Sequence, residues 1–288
     1  MGIFMSAVLP AILTMVISYL LGSINSSIIF TKLFSHEDIR EMGSGNAGTT
    51  NVLRSVGKRA AACTFAFDFI KGGLAVFIGR VLFQYFAAAY PLAGVSSWEF
   101  VQYGAYLAGI FCVLGHDFPV FFGFRGGKGV LTSWSIILLI DWRSFVVVIV
   151  VFIVVVLLTR IVSAGSISAG IAFPICTFVF NYLVDYRMFQ IGSPTYCVLT
   201  MIVALFLGGL LVGKHHANIA HIAAKSLHNA DFARTFRHRH NHGVGNTNRG
   251  NEERHRADAA QSQLDAPRLL FDLLTRLLKR GSLITGAL

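Results

Sequence analysis

The sequence predicts an all-α integral membrane protein, and three observations carry that prediction. Hydrophobic residues make up 55% of the 288-residue chain, charged residues only 13%, and the mean hydropathy is +0.64. A soluble domain would carry about twice that charged fraction. Residues 145–158 and 198–212 hold no charge at all, and with their flanks they approach the roughly 20 apolar residues that a helix needs to cross a bilayer. The charges that exist are bunched between such stretches, as expected of loops between spans.

Seven spans fit the pattern, at about 3–34, 59–88, 98–114, 129–140, 145–159, 166–183 and 195–212. The fourth and fifth are short, which calls for tilt or a re-entrant course. The N-terminus lacks a basic leader and a small-residue cleavage site, so the first apolar run is read as a span and not a removed signal. Lys and Arg concentrate at 36–58, 116–128, Arg160 and from Lys214 onward. With basic loops on the cytoplasmic side, the N-terminus lies outside and the C-terminus inside, which requires an odd number of crossings.

The expected division is a membrane domain over 1–227 and a basic tail over 228–288. Residues 238–255 are polar and aperiodic, a composition that does not support a packed core. Leu269, Leu270, Leu273, Leu274 and Leu277 share one face of a helix over 267–280, which suits an amphipathic helix at the membrane surface or against the membrane domain. The net charge of +10 fits anionic lipid head groups. Arg and His without interleaved aromatics give no case for nucleic acid. Cys63, Cys112, Cys176 and Cys197 stand singly in apolar segments, as reduced packing residues and not metal ligands.

Two loops carry the chemistry. The first reads Gly43-Ser44-Gly45-Asn46-Ala47-Gly48-Thr49-Thr50-Asn51, followed by Arg54. It matches GxGxxG, but a dinucleotide fingerprint must follow a strand and this one follows a membrane helix. What survives is anion chemistry: glycines let backbone N–H groups converge, hydroxyls and amides add donors, and Arg54 supplies a forked cation. The second loop ends Phe124-Arg125-Gly126-Gly127-Lys128-Gly129. Phe122 stands where a Walker loop needs its first glycine, and Gly129 where it needs the magnesium-binding hydroxyl, so nucleotide hydrolysis is excluded. A phosphate cradle at a helix N-terminus remains.

A third segment follows the last span. His215 and Asn218 stand i and i+3 on one helical face and could bind one group together. His215 and His216, being adjacent, do not make a two-histidine zinc site. Asp68 and Lys71 are also i and i+3, inside the second span, where charges pair or face a polar cavity. They are read as a structural pair behind the first loop. No His-x4-Asp pair and no G-x-S-x-G elbow occurs. A transporter for a phosphorylated metabolite is the rival of another class, and no internal repeat supports it.

In order and spacing these segments resemble the acyl-phosphate:glycerol-3-phosphate acyltransferases of the PlsY type. The resemblance runs from about Tyr19 to Asn218. It takes in Tyr19-Leu20-Leu21-Gly22-Ser23-Ile24, Gly43 to Asn51 with Arg54, and Asp68-x-x-Lys71-Gly72. It continues through Leu114-Gly115-His116, Pro119 to Phe122, Gly126 to Val130, Ser163-x-x-Ser166-Ile167 and His215-x-x-Asn218-Ile219. It implies a seven-helix fold in a bacterial inner membrane, with the site at the cytoplasmic face. It implies transfer of an acyl group from acyl phosphate to the 1-hydroxyl of sn-glycerol 3-phosphate, with no cofactor and no metal.

Carried over by motif, Ser44, Arg54, Lys128, His215 and Asn218 are the catalytic set. Gly43, Gly45, Asn46, Thr50, Asn51, Gly126, Gly127, Gly129 and Ser163 bind substrate phosphate. Expected partners are the two substrates, membrane lipids and other enzymes of phospholipid synthesis. Three positions depart from the family pattern: Asn25 replaces a proline, His221 an arginine, and Leu227 the closing glutamate of the third motif. A catalytically weakened paralogue is the reading those departures would favour.

Overall fold

In the computed structural model, residues 4–91 and 94–220 are described, and among them every regular element is helical. The chain forms two compact units. Among the described residues, one comprises 4–91, 94–153 and 166–214, and the other 154–165 and 215–220. The tail over 228–288, its helix at 267–280, and positions His221 and Leu227 lie outside the described residues.

Six helical stretches are long and apolar enough to cross a membrane: Phe4–Ser35, Lys58–Ala89, Ser97–Phe122, Trp142–Thr159, Val162–Met188 and Pro194–Gly213. A shorter apolar helix, Val130–Ile140, makes the seventh segment. At 1.5 Å per residue its 11 residues span only about half of the hydrocarbon core. The apolar residues that point outward along the long helices, such as Ile70, Phe77, Leu157 and Ile202, are exposed in the way a lipid-facing surface requires.

The first span is interrupted. Helix α1 (Leu9–Ser23) stops at Ile24, whose backbone is extended, and α2 (Ser26–Ser35) starts afresh. Asn25 makes that restart possible: its side-chain oxygen accepts from Ile28 N at 3.2 Å, an N-cap. Residue 25 is the N-cap and not the first helical position, and Asn supplies there a side-chain acceptor that proline lacks.

Close helix packing follows from small residues, as it must where lipid gives no hydrophobic drive between helices. Helix α5 (Ser97–Asp117) crosses α1 at Gly22 and Gly115. A Cβ on Gly22 would overlap Cys112 O, and one on Gly115 would overlap Tyr19 O and lie 2.8 Å from Ser23 N. Helix α3 (Thr49–Ser55) is a short amphipathic turn, and α4 (Lys58–Ala89) is a 32-residue rod. Helix α6 (Val130–Ile140) packs on α4 through Gly72.

Asp141 separates α6 from α7 (Trp142–Thr159) and caps the second by accepting from Arg143 N and Ser144 Oγ. Arg143 then forks onto Asp185 at 2.8 and 2.7 Å. That pair ties the turn to the π-helical segment Phe178–Met188, which continues α8 (Val162–Thr177) beyond Pro174. Helix α9 (Pro194–Gly213) closes the first unit. Three of the four cysteines are buried, Cys63 is half-buried, and all are unpaired thiols.

Gly115→Ala places a methyl against backbone that cannot retreat, and overpacking of this kind costs about 1–3 kcal/mol. A lower melting temperature in detergent is expected for it, and none for Gly213→Ala, where nothing lies within 4 Å.

Candidate active site

The second loop packs on the ends of α1 and α5, next to a buried ion cluster. Lys71 is 4% exposed, Asp68 2% and His116 3%. The Lys71 ammonium lies 2.7 Å from Asp68 Oδ1, 2.9 Å from His116 Nδ1 and 3.0 Å from Ile24 O. It therefore joins three helices, and its third contact satisfies the carbonyl left open by the break in the first span. A buried charge pair survives only where further polar contacts complete it, and Ile24 O and His116 Nδ1 supply them on the Lys71 side. Thr132 Oγ1 also donates to Asp68 O at 3.3 Å, which adds α6 to the cluster.

The first loop is organised by Asn51, which is 4% exposed. Its Nδ2 donates to Ile39 O, Met42 O and Asn46 O at 3.2, 2.9 and 3.1 Å, and its Oδ1 accepts from Ser44 N at 3.1 Å. Every polar atom of that side chain is spent on the loop. Asn51, expected among the phosphate ligands, sets the loop's shape through these contacts. Gly43 must turn with φ +54°, and a Cβ there would overlap Asn51 Oδ1; Gly45 turns with φ +69°. The result leaves Gly43, Ser44, Gly45, Thr50 and Arg54 exposed, with Asn46 half-buried.

Arg40, which sequence reasoning passed over, links this loop to the next. It forks onto Asp38, holding that carboxyl below its usual range. It also donates to Phe122 O at 2.7 Å and Arg125 O at 3.5 Å. Nothing in the local pattern marks it, since its partners are backbone oxygens more than eighty residues away.

The second loop starts where α5 ends. Gly126 N and Gly127 N donate to Asp117 O and His116 O at 3.3 and 3.2 Å, and Tyr19 OH donates to Phe118 O at 2.8 Å. At Gly127 the two loops approach closely. A Cβ on it would overlap both the His116 ring nitrogen Nε2 and Ala47 O of the first loop. Gly129, at φ +66°, turns the chain into α6. Lys128 is half-buried, and burial, with Lys214 nearby, pulls its ammonium below the usual lysine range. Lys214 stands 4.2 Å from the centre of the Phe118 ring and donates to Asp117 O at 3.3 Å.

The remaining expected residues fall in the second unit. Ser163 lies in the first turn of α8. His215 and Asn218 lie in one helical turn, closed by Ile219 N donating to His215 O at 2.9 Å, so the i, i+3 relation holds.

The fold and the loops define a polytopic, all-helical membrane protein with two glycine-rich loops, the second joined through its backbone to His116 of a buried ion cluster. The chain belongs to the glycerol-3-phosphate acyltransferase family, whose model matches residues 12–225. A glycerol-3-phosphate acyltransferase of Clostridioides difficile (strain 630) is 41% identical over 208 residues, covering 72% of this chain and 89% of the relative. That of Thermoanaerobacter sp. (strain X514) is 37% identical over 214 residues, covering 74% and 92%. Among solved structures, the chain is similar to the crystal structure of PlsY (YgiH), an integral membrane glycerol 3-phosphate acyltransferase, in its glycerol 3-phosphate form. The TM-score is 0.59 and the identity 30%, over 74% of this chain and 92% of that one. The lysophosphatidic acid form gives a TM-score of 0.57 and 29% identity over the same shares.

Asn51→Asp keeps the acceptor oxygen but removes the amide donors that serve three carbonyls. Leaving such groups unsatisfied costs roughly 1–3 kcal/mol each where they are buried. The expected outcome is a first loop that becomes sensitive to limited proteolysis near Ser44, measured against wild-type protein in the same detergent.

Proposed function

We propose that the chain transfers an acyl group from acyl phosphate to the 1-hydroxyl of sn-glycerol 3-phosphate, giving lysophosphatidic acid and inorganic phosphate. The observation that carries this reading is the convergence of two glycine-rich loops at Gly127 and Ala47. Two phosphate-bearing substrates need two adjoining anion sites, and the relatives include a PlsY solved in a glycerol 3-phosphate form.

In this reading Ser44, Asn46, Thr50 and Arg54 hold phosphate oxygens from the first loop, together with Gly43 and Gly45. Lys128 does so from the second, with Gly126, Gly127 and Gly129. The family motifs add Ser163, His215 and Asn218 as the remaining substrate-binding side chains. The glycerol oxygen attacks the acyl carbonyl carbon and the bond from that carbon to the phosphate oxygen breaks. Phosphate leaves with the electron pair, and the hydroxyl proton passes to a phosphate oxygen. An acyl phosphate is already an activated anhydride, so alignment of two bound reactants and neutralisation of charge supply the acceleration. His215 then orients and neutralises phosphate and need not act as a base.

The distribution of Lys and Arg supports a cytoplasmic position for these loops in a bacterial inner membrane, with the N-terminus outside. Membrane lipids surround the spans, and the basic tail would meet anionic head groups or another enzyme of phospholipid synthesis.

Purified protein supplied with palmitoyl phosphate and labelled glycerol 3-phosphate provides the test. Lysophosphatidate should form, and Arg54→Ala and Lys128→Ala should each reduce kcat/KM by about 100-fold. A folded wild type that forms none would overturn the reading.

A further inference from the structure

We propose that Arg40 is a positioning residue for this acyl transfer, clamped by Asp38 so that it fixes the second loop, through Phe122, against the first. The inference rests on the function proposed above for the two loops, and it goes further by naming what keeps two bound reactants in register.

Arg40 lies in the short 3-10 turn Ile39–Glu41, just before the first loop. Asp38 takes one edge of its guanidinium: Nε donates to Oδ1 and Oδ2 at 3.0 and 3.1 Å, and Nη2 to Oδ2 at 2.6 Å. Asp38 Oδ1 also accepts from Arg40 N at 2.9 Å, which caps the turn. A guanidinium is planar and rigid, so fixing that edge aims the remaining nitrogen. Nη1 then donates to Phe122 O at 2.7 Å and, at the limit of a hydrogen bond, to Arg125 O at 3.5 Å.

Phe122 is held twice. Its side chain packs against a small apolar core of Ile28, Ile39, Ala47, Val52, Ala60 and Ala61. Ala47 belongs to the first loop and Val52 to the helix that follows it, and both are fully buried. Its carbonyl is the acceptor for Arg40. One residue of the second loop therefore meets the first by packing and by a charged hydrogen bond. Arg40 is also tied into the first loop's backbone, where a Cβ on Gly45 would come within 3.2 Å of Arg40 O. Asn51 Nδ2 binds the carbonyls on either side, Ile39 O and Met42 O. Displacing one reactant by about 1 Å can cost about 100-fold in rate, so a joint that limits relative movement of the loops bears directly on turnover.

Lysine keeps the charge but lacks the planar fork that binds Asp38 and Phe122 O at once. In protein that remains folded by its melting temperature, Arg40→Lys and Arg40→Ala should each lose about 100-fold in kcat. KM for glycerol 3-phosphate and for palmitoyl phosphate should change by no more than about threefold, because no ligand contact is removed. Asp38→Asn should act on the same step, so that adding it to Arg40→Ala costs little more. A large rise in either KM together with recovery by Arg40→Lys would make Arg40 a phosphate ligand and overturn the proposal. Full kcat in folded Arg40→Ala, with only stability lowered, would overturn it as well.

A second readout needs no turnover. Glu41 and Phe121 are exposed beside the joint, one from each side of it. Spin labels on Glu41→Cys and Phe121→Cys, in a Cys63→Ser background, report the separation of the loops. One narrow separation is expected, broadening when Arg40→Ala is added, and identical distributions would overturn the proposal. If wild type forms no lysophosphatidate but the separation still broadens on loss of Arg40, the reaction proposed above falls and the joint between the loops stands.

Discussion

One ammonium group inside the membrane fixes most of what matters here. Lys71 sits in the interior of a 32-residue helix, a position where a charge is costly unless it is fully paired. It reaches a carboxylate, an imidazole and a carbonyl, one on its own helix and two on neighbours. The carbonyl belongs to the break in the first span, so the interruption of α1 and the ion cluster stabilise each other. From the imidazole the arrangement passes to Gly127, and from Gly127 to the first loop. The helices do not simply carry the loops; a polar joint at their centre sets where the loops stand.

This explains why the site can be rich in glycine without being loose. The first loop has few apolar anchors of its own, and a Gly/Ser segment left alone would sample many conformations. Asn51 closes it by serving three carbonyls and one N–H, Arg40 straps it to the second loop, and Gly127 lets the two approach closely. Exposed donors such as Ser44 and Arg54 are then presented from a shaped backbone. For transfer from an activated anhydride, where rate comes from alignment and charge neutralisation, a fixed backbone is the main requirement.

Much of this was legible in the chain because the physical signals were local. Apolar length located the helices, including the short one at Val130–Ile140. Glycine spacing located the loops, and the i, i+3 relation of Asp68 and Lys71 identified their pairing. What stayed hidden depends on contacts distant in sequence. His116 lies 45 residues from Lys71, and Arg40 meets carbonyls more than 80 residues on. No periodicity announces either. The structural part of Asn51 was hidden for a related reason: an amide in a polar loop looks the same whatever its partners, and only the fold supplies the three carbonyls it serves. The break at Asn25 was concealed because the flanking sequence is apolar on both sides, so hydropathy runs through it.

The central claim is that Lys71 and His116 act as one unit in setting the loops. A double-mutant cycle of Lys71→Met and His116→Leu, read in kcat/KM, tests it most directly. If the two act together, the double variant should be about as impaired as either single one, a strong departure from additivity. If the two losses multiply, the residues act independently and the ion cluster is not what positions the site.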